Sequence, residues 1–236
     1  MLMNGDEVFI PSKNFNINQA YQQHVETKSL ATLFVTEHEG VGTRFGGVWC
    51  DSKMRVKDFG KGPVKENLKG WHYIGHMILS HEIFKFINSS EPLNIIYDVL
   101  LKQIQQGEKV MAYNSQGLWF ETGNKEDYLK AHTEGLKILA PEAQEEKSKE
   151  SALGYKLWLK NHIEHFQSVP FQMHKKNAGL QWTSTASKIS DSATLSGYCV
   201  IGAGAVLGDD SHVEHSVVIE NAQLEPGQHI TNEIWI

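Results

Sequence analysis

Two acids sit where an apolar run gives way to a turn. Asp6 closes Asn4-Gly5-Asp6, directly after Met1-Leu2-Met3. Glu121 closes the aromatic run Gly117-Leu118-Trp119-Phe120 and precedes Thr122-Gly123-Asn124 and a helix start at Lys125. Sheets of α/β folds hold ligands at their strand ends, so a carboxylate from each place could serve one site. Each acid also has a local reading. Asn-Gly-Asp is favourable turn chemistry, and Glu121 can cap or pair with its neighbours. Lys61, in Gly60-Lys61-Gly62-Pro63, can neutralise an anion or stay solvated in its loop. His72 and His76 alternate along one strand with no third ligand at metal spacing, which favours structural or surface roles. Cys50 and Cys199 lie far apart and match no metal pattern, the pattern of two reduced thiols in a cytosolic protein.

The chain bounds what these residues can do. Its 236 residues, 40% hydrophobic and 21% charged, suffice for one large soluble domain or two small ones. A net charge of −6 argues against a nucleic-acid surface, which needs a basic face. No apolar run is long enough for a membrane helix, and no basic-then-apolar leader pattern is present, so a cytoplasmic protein without a membrane partner is expected.

The elements that must position the acids follow from periodicity. Leu2–Met3 reads as the end of a buried strand, as though the chain began partway through a fold. Ile17, Ala20, Tyr21, His24 and Val25 mark a helix between Phe15 and Lys28, capped by Asn14 or Asn16. Leu30 to Val35 reads as a strand buried on both faces, as in a mostly parallel sheet. Residues 41–59 read as a hairpin turning at Asp51-Ser52-Lys53; its Gly46-Gly47 pair permits close approach of a ligand or marks a bulge. Trp71 to Leu79 reads as a strand. Helices are expected from His81 to Ile87 under a Ser80 cap and from Asn94 to Gln105, with Gly107 as the stop. Val110 to Tyr113 reads as the next strand. Lys125 to Leu139 reads as a helix burying Tyr128, Leu129, Leu136 and Leu139. The charged run Ala143 to Lys149 reads as a linker, and Leu153 to Phe166 as a further helix.

The C-terminal segment repeats every six residues. Aliphatic side chains recur at Ile189, Leu195, Ile201, Leu207, Val213 and Ile219, each two places after Ser187, Ala193, Cys199, Ala205, Ser211 or Val217. Hexads of this kind build a β-helix with the aliphatics stacked inside. The period shortens by one near Leu224 and resumes at Ile230, which predicts an irregular last coil. Cys199 occupies a core slot.

An α/β region ending in Trp-Phe-Glu-Thr-Gly and followed by hexapeptide repeats resembles the sugar-phosphate nucleotidyltransferase (NDP-sugar pyrophosphorylase) family, mannose-1-phosphate guanylyltransferase-like members above all. Asn4-Gly5-Asp6, Arg44-Phe45-Gly46-Gly47-Val48, Trp71-His72-Tyr73-Ile74-Gly75, Asn94 to Leu100 and Trp119-Phe120-Glu121-Thr122-Gly123-Asn124 match its segments in order. The resemblance implies an α/β fold: the C-terminal part of a Rossmann-like nucleotidyltransferase sheet, then a short left-handed β-helix. It implies residues 1–140 as a partial catalytic domain (the sugar-phosphate half), 141–185 as a helical linker and 186–236 as the β-helix. It implies Asp6 and Glu121 as catalytic ligands of Mg²⁺, and Asn4, Gly5, Gly46, Lys61, Gly75 and Trp119 as substrate contacts. Trp71, Tyr73 and Trp119 would wall a sugar pocket, or pack as sheet aromatics. The implied substrates are a sugar 1-phosphate and a nucleoside triphosphate, and a homo-oligomer is expected because short β-helices expose associating ends.

Three departures qualify the resemblance. The family's Gly-x-Gly-x-Arg loop has only a misplaced counterpart, Gly40-Val41-Gly42-Thr43-Arg44, with no helix behind it. The family's Glu-Lys-Pro appears as Gly60-Lys61-Gly62-Pro63. The metal aspartate is Glu121, one methylene longer, against the tight octahedral demand of Mg²⁺. The expectation is therefore a chain lacking the nucleotide-binding half and inactive alone. The alternatives are a degenerate or truncated paralogue acting as a sugar-phosphate-binding or assembly subunit, and, lower, an acyltransferase using His212 or His215 on the β-helix.

Overall fold

The computed structural model describes residues 1–12, 14–62, 66–87, 91–139, 171–176 and 179–236. They form two compact units, Met1–Trp119 and Phe120–Ile236.

The first unit is built on one long strand, β6 (Lys69–Leu79). β1 is Leu2–Met3, β2 is Glu7–Pro11, β3 is Ala31–Thr36, β4 is Gly47–Cys50, β5 is Val56–Gly60 and β7 is Val110–Asn114. The sheet order is β5-β4-β6-β3-β7, with β1 also on β6. β3 is buried along its whole length, as its apolar run predicts. It pairs parallel with β7 but antiparallel with β6, and β4 pairs antiparallel with β5 and β6. The sheet is thus mixed, correcting the expected mostly parallel one: burial of both faces reports the layers above and below, not strand direction.

Alternation along β3 sends Leu33 and Val35 to one face and Phe34 to the other. The first face packs Trp71, Met77, Ile83, Val99 and Leu100. Its cover is a 3₁₀-helix (His81–Phe86, capped by Ser80), a π-helical turn (Ile95–Leu100, capped by Asn94) and the short α2 (Leu101–Gln105). The expected helices are present here in tighter and wider forms than the regular α-helix. The second face packs Phe34, Ile74 and Ile78 against Ala20, with Phe9 and Phe15 alongside.

Helix α1 (Ile17–Thr27) starts at Asn16, whose Oδ1 accepts the amide of Asn18 at 2.9 Å. Only Ala20 and His24 of its apolar stripe are buried; Ile17, Tyr21 and Val25 are exposed. β1 is likewise exposed rather than buried.

Helical spacing identifies α1, yet β2 gives no such signal. It forms because it pairs with β8 (Gly117–Glu121), a long-range partner that local pattern does not reveal.

In the second unit α3 (Lys125–Leu139) buries Leu136, with Tyr128 and Leu129 half-buried. The expected helix at Leu153 to Phe166 lies outside the described residues. Of the helical linker expected at 141–185, residues 141–170 lie outside the described residues; 171–176 and 179–184 are strands β9 (Phe171–Lys176) and β10 (Gly179–Ser184), paired antiparallel, where the expectation was helix. β10 then pairs parallel with β13 (Cys199–Ile201) and so begins the repeat sheet.

The remaining strands stack as three parallel faces. One holds β11 (Lys188–Ile189), β14 (Val206–Leu207) and β17 (Gln223–Leu224); a second holds β12 (Thr194–Ser196), β15 (His212–Glu214) and β18 (His229–Thr231). The third continues from β13 to β16 (Val217–Val218) and β19 (Ile234–Trp235). These are about three coils of the expected β-helix. Cys199, Ile201, Ala205, Leu207, Val213, Val218, Leu224 and Ile230 fill its interior, and Cys199 is the core residue its slot predicts.

The shortening falls one hexad earlier than the sequence period suggests. Ser196 pairs with Glu214, but Val200 pairs with Val217. The corner that spans Gly197-Tyr198-Cys199 in one coil is therefore one residue shorter in the next. Val218 takes the inward slot assigned to Ile219, and the last coil is regular through Ile230. Among the described residues no helix is long and apolar enough to cross a membrane.

Candidate functional site

The site is organised by a bulge in β6. Between pairs Leu33↔Met77 and Val35↔Tyr73, β6 uses more residues than β3. Gly75 sits in that excess with φ +74°, a conformation that side-chain-bearing residues avoid. Bulges of this kind re-aim the chain beside functional sites.

The Asn4-Gly5-Asp6 turn docks on this bulge. The Asn4 amide donates to the Gly75 carbonyl at 2.8 Å. Asn4 Nδ2 donates to Glu7 Oε1 at 2.9 Å, and the Trp119 indole Nε1 donates to Glu7 Oε2 at 2.7 Å. A Cβ on Gly75 would lie 2.7 Å from the Glu7 carboxylate. Asn4, Gly75 and Trp119, expected as substrate contacts, are thus brought together around Glu7, a residue the sequence reading passed over. Only its pairing with Asn4, three residues earlier in the turn, is local enough to leave a signal in the sequence; the Trp119 contact and the bulge leave none. Gly5 and Asp6 are exposed on the same turn.

Beside Trp119 lies a cluster of rings. His72 lies against Trp119 with centroids 3.9 Å apart and planes tilted by 53°, Phe45 lies 4.8 Å from His72, and His38 lies 5.6 Å from Trp119. His72 is buried, and neither ring nitrogen has a hydrogen-bond partner among the described residues. Burial, and secondarily the neighbouring His38, pushes its pKa down to about 4. His76, by contrast, places Nδ1 2.6 Å from the Ile74 carbonyl. Both histidines are buried in the sheet.

Trp71 and Tyr73 pack into the first core, and Trp119 packs against the second. Burial, with a smaller contribution from the Glu7 charge, raises the Tyr73 hydroxyl well above its ordinary pKa.

Gly46 and Lys61 meet at the open end of the β4–β5 hairpin, where Gly47 pairs with Gly60. A Cβ on Gly46 would lie 3.1 Å from the Tyr97 hydroxyl. The Gly62 amide donates to the Gly42 carbonyl at 3.0 Å, which fixes the loop around exposed Lys61. Gly40-Val41-Gly42-Thr43-Arg44 forms a turn leading to β4, with no helix behind it.

Glu121 belongs to the second unit and Asp6 to the first. Glu121 is half-buried, and its Oε1 accepts the Gly123 amide at 3.0 Å, so the local pairing read from the sequence is real. Among the described residues no three His, Cys, Asp or Glu side chains gather as a metal cage. Mg²⁺ needs none: it is commonly held by one or two carboxylates, completed by water and phosphate oxygens. Asp6, exposed on its turn, and Glu121, with one carboxylate oxygen on the Gly123 amide, are each a carboxylate of the kind that Mg²⁺ takes.

The family model described as "Nucleotidyl transferase" matches residues 1–137. A "UTP--glucose-1-phosphate uridylyltransferase" of Pseudomonas aeruginosa is 36% identical over 101 residues, 41% of this chain and 36% of that relative. The chain therefore spans well under half the length of that relative. A solved structure titled "The crystal structure of apo- UDP-glucose pyrophosphorylase" is similar with a TM-score of 0.43 and 20% identity, over 55% of this chain and 50% of that one.

Proposed function

Because the chain belongs to the nucleotidyl transferase family, we propose that it forms the sugar-phosphate half of an enzyme joining a sugar 1-phosphate to a nucleoside triphosphate. In that reaction a phosphate oxygen of the sugar 1-phosphate attacks the α-phosphorus, and the bond to pyrophosphate breaks. The protein's contribution is placement and charge neutralisation. Lys61 meets the sugar phosphate. Gly46, which has no side chain, lets the backbone approach the sugar, and the Asn4–Asp6 turn and Trp119 border it. Asp6 and Glu121 would hold Mg²⁺, which supplies neutralisation of the phosphate oxygens when bound. The chain acts as a homo-oligomer in the cytoplasm.

The observation that carries this reading is the convergence of Asn4, Gly75 and Trp119 on one carboxylate within the family-matched region. A glucose partner fits the matched relative; a mannose partner fits the motif resemblance. The test is saturation-transfer NMR on the full chain with glucose 1-phosphate, mannose 1-phosphate, UTP and GTP. A sugar 1-phosphate should give signals that Lys61→Ala weakens. Tight triphosphate binding with no sugar-phosphate signal would contradict the assignment to this half.

A second reading, a non-catalytic sugar-phosphate-binding or assembly subunit, is favoured by one observation. Glu121 replaces the shorter aspartate and is engaged with Gly123. It predicts sugar-phosphate binding that is indifferent to Mg²⁺.

A further inference from the structure

Asp6 is exposed on a turn, and an exposed turn does not by itself hold a ligand at fixed geometry. The neighbouring residue supplies what the turn lacks. We propose that Glu7 is a positioning residue that clasps the Asn4-Gly5-Asp6 turn to the Trp119 indole and to the β6 bulge. The proposal rests on the reading of Asp6 as a metal carboxylate.

The clasp has three attachments. Both carboxylate oxygens of Glu7 accept, Oε1 from Asn4 Nδ2 at 2.9 Å and Oε2 from Trp119 Nε1 at 2.7 Å. Two donors arriving on two oxygens fix both the reach of the side chain and the rotation of its carboxylate. Hydrogen bonds to an ionised acceptor are roughly twice as strong as neutral ones. The third attachment is backbone: the Asn4 amide donates to the Gly75 carbonyl at 2.8 Å. Asp6 lies between two residues, Asn4 and Glu7, that are joined to each other and to the sheet.

The glycine at position 75 follows from the clasp. The Glu7 carboxylate fills the space beside Gly75, where a Cβ would stand only 2.7 Å from it. Gly75 is therefore the seat of Glu7. The same geometry ties in Trp119. Its indole N–H donates to Glu7, and its ring lies against His72, tilted by 53°. Trp119 lies on β8, so the clasp also ties that strand to the turn.

The test compares Glu7→Gln, Glu7→Ala and Asp6→Asn in the full chain, with Mn²⁺ as the probe. Two readouts are taken: Mn²⁺ affinity by electron paramagnetic resonance, and the indole ¹H–¹⁵N signal of Trp119, assigned through Trp119→Phe. Asp6→Asn should abolish Mn²⁺ binding and leave the indole signal in place. Glu7→Ala should move the indole signal upfield and weaken Mn²⁺ binding by about 10-fold or more, the usual effect of losing a residue that orients a ligand. Glu7→Gln keeps one acceptor oxygen and should fall between; being isosteric, it carries the test if Glu7→Ala does not fold. Mn²⁺ binding lost in Asp6→Asn but unchanged in both Glu7 variants would overturn the clasp and leave the site reading standing. Mn²⁺ binding unchanged in Asp6→Asn would overturn the site reading and the clasp with it.

Discussion

His72 and Trp119 lie against each other with their ring centroids 3.9 Å apart and their planes tilted by 53°, and the imidazole is buried with both nitrogens unpartnered among the described residues. Buried polar atoms without partners are rare and costly. Here the cost falls on the charged form, since burial and then His38 push the His72 pKa down to about 4.

Stability should therefore depend on pH through His72. Between the ordinary histidine value and about 4 the unfolded chain binds the proton and the folded chain does not. Stability is full above that window and falls as pH drops through it. The loss attributable to His72 is on the order of 3 kcal/mol between pH 7 and pH 4. Chemical denaturation of the wild type and His72→Phe at pH 7, 5.5 and 4.5 checks this. The variant should show the flatter profile, while His24 and His132, also lowered chiefly by burial, titrate in both proteins. Identical profiles would contradict it.

Both thiols should be inert in the folded protein. Burial, aided by the Asp51 charge, pushes Cys50 up to about 12, and burial raises Cys199. Thiolate is the reactive form. Ellman's reagent at pH 8 should label neither cysteine in the native protein and both in guanidinium chloride.

Gly75→Ala should destabilise by about 1–3 kcal/mol, because it places a side chain at φ +74° and against the Glu7 carboxylate. Made in a Glu7→Ala background, the same change should cost less, since the steric part disappears. A double-mutant cycle by urea denaturation should give a coupling of about 0.5 kcal/mol or more. Strict additivity would separate Gly75 from Glu7.

The β-helix register has its own test. Val218 is fully buried and Ile219 only half-buried. Val218→Thr, which buries a hydroxyl, should cost about 1–3 kcal/mol, and Ile219→Thr less. The reverse order would restore the six-residue count that the sequence alone suggests.

Much of this architecture is legible in the residues. The aliphatic hexads announce the β-helix because one physical rule, stacking of inward side chains, repeats at each turn. The corner shortened at His215-Ser216 escapes the count, since Val218 and Ile219 are equally suited to an inward slot and only pairing decides between them. Leu30 to Val35 declares burial but not strand direction. At the site, Asn4, Gly75 and Trp119 are visible as motif members. Glu7 is not, because its role arises from a partner 112 positions away and from a bulge that no periodicity encodes. The exposed face of α1 is the converse case: Ile17, Tyr21 and Val25 have helical spacing without burial.

The central claim is that this chain holds a sugar 1-phosphate through a metal-dependent site. The measurement that tests it most directly is calorimetric titration of the full chain with glucose 1-phosphate and mannose 1-phosphate, with and without MgCl₂, in wild type, Asp6→Asn and Glu121→Ala. The account predicts that one sugar phosphate binds, that MgCl₂ strengthens the binding, and that both substitutions remove the strengthening. No binding of either sugar phosphate, or binding that neither MgCl₂ nor the substitutions alter, would contradict it.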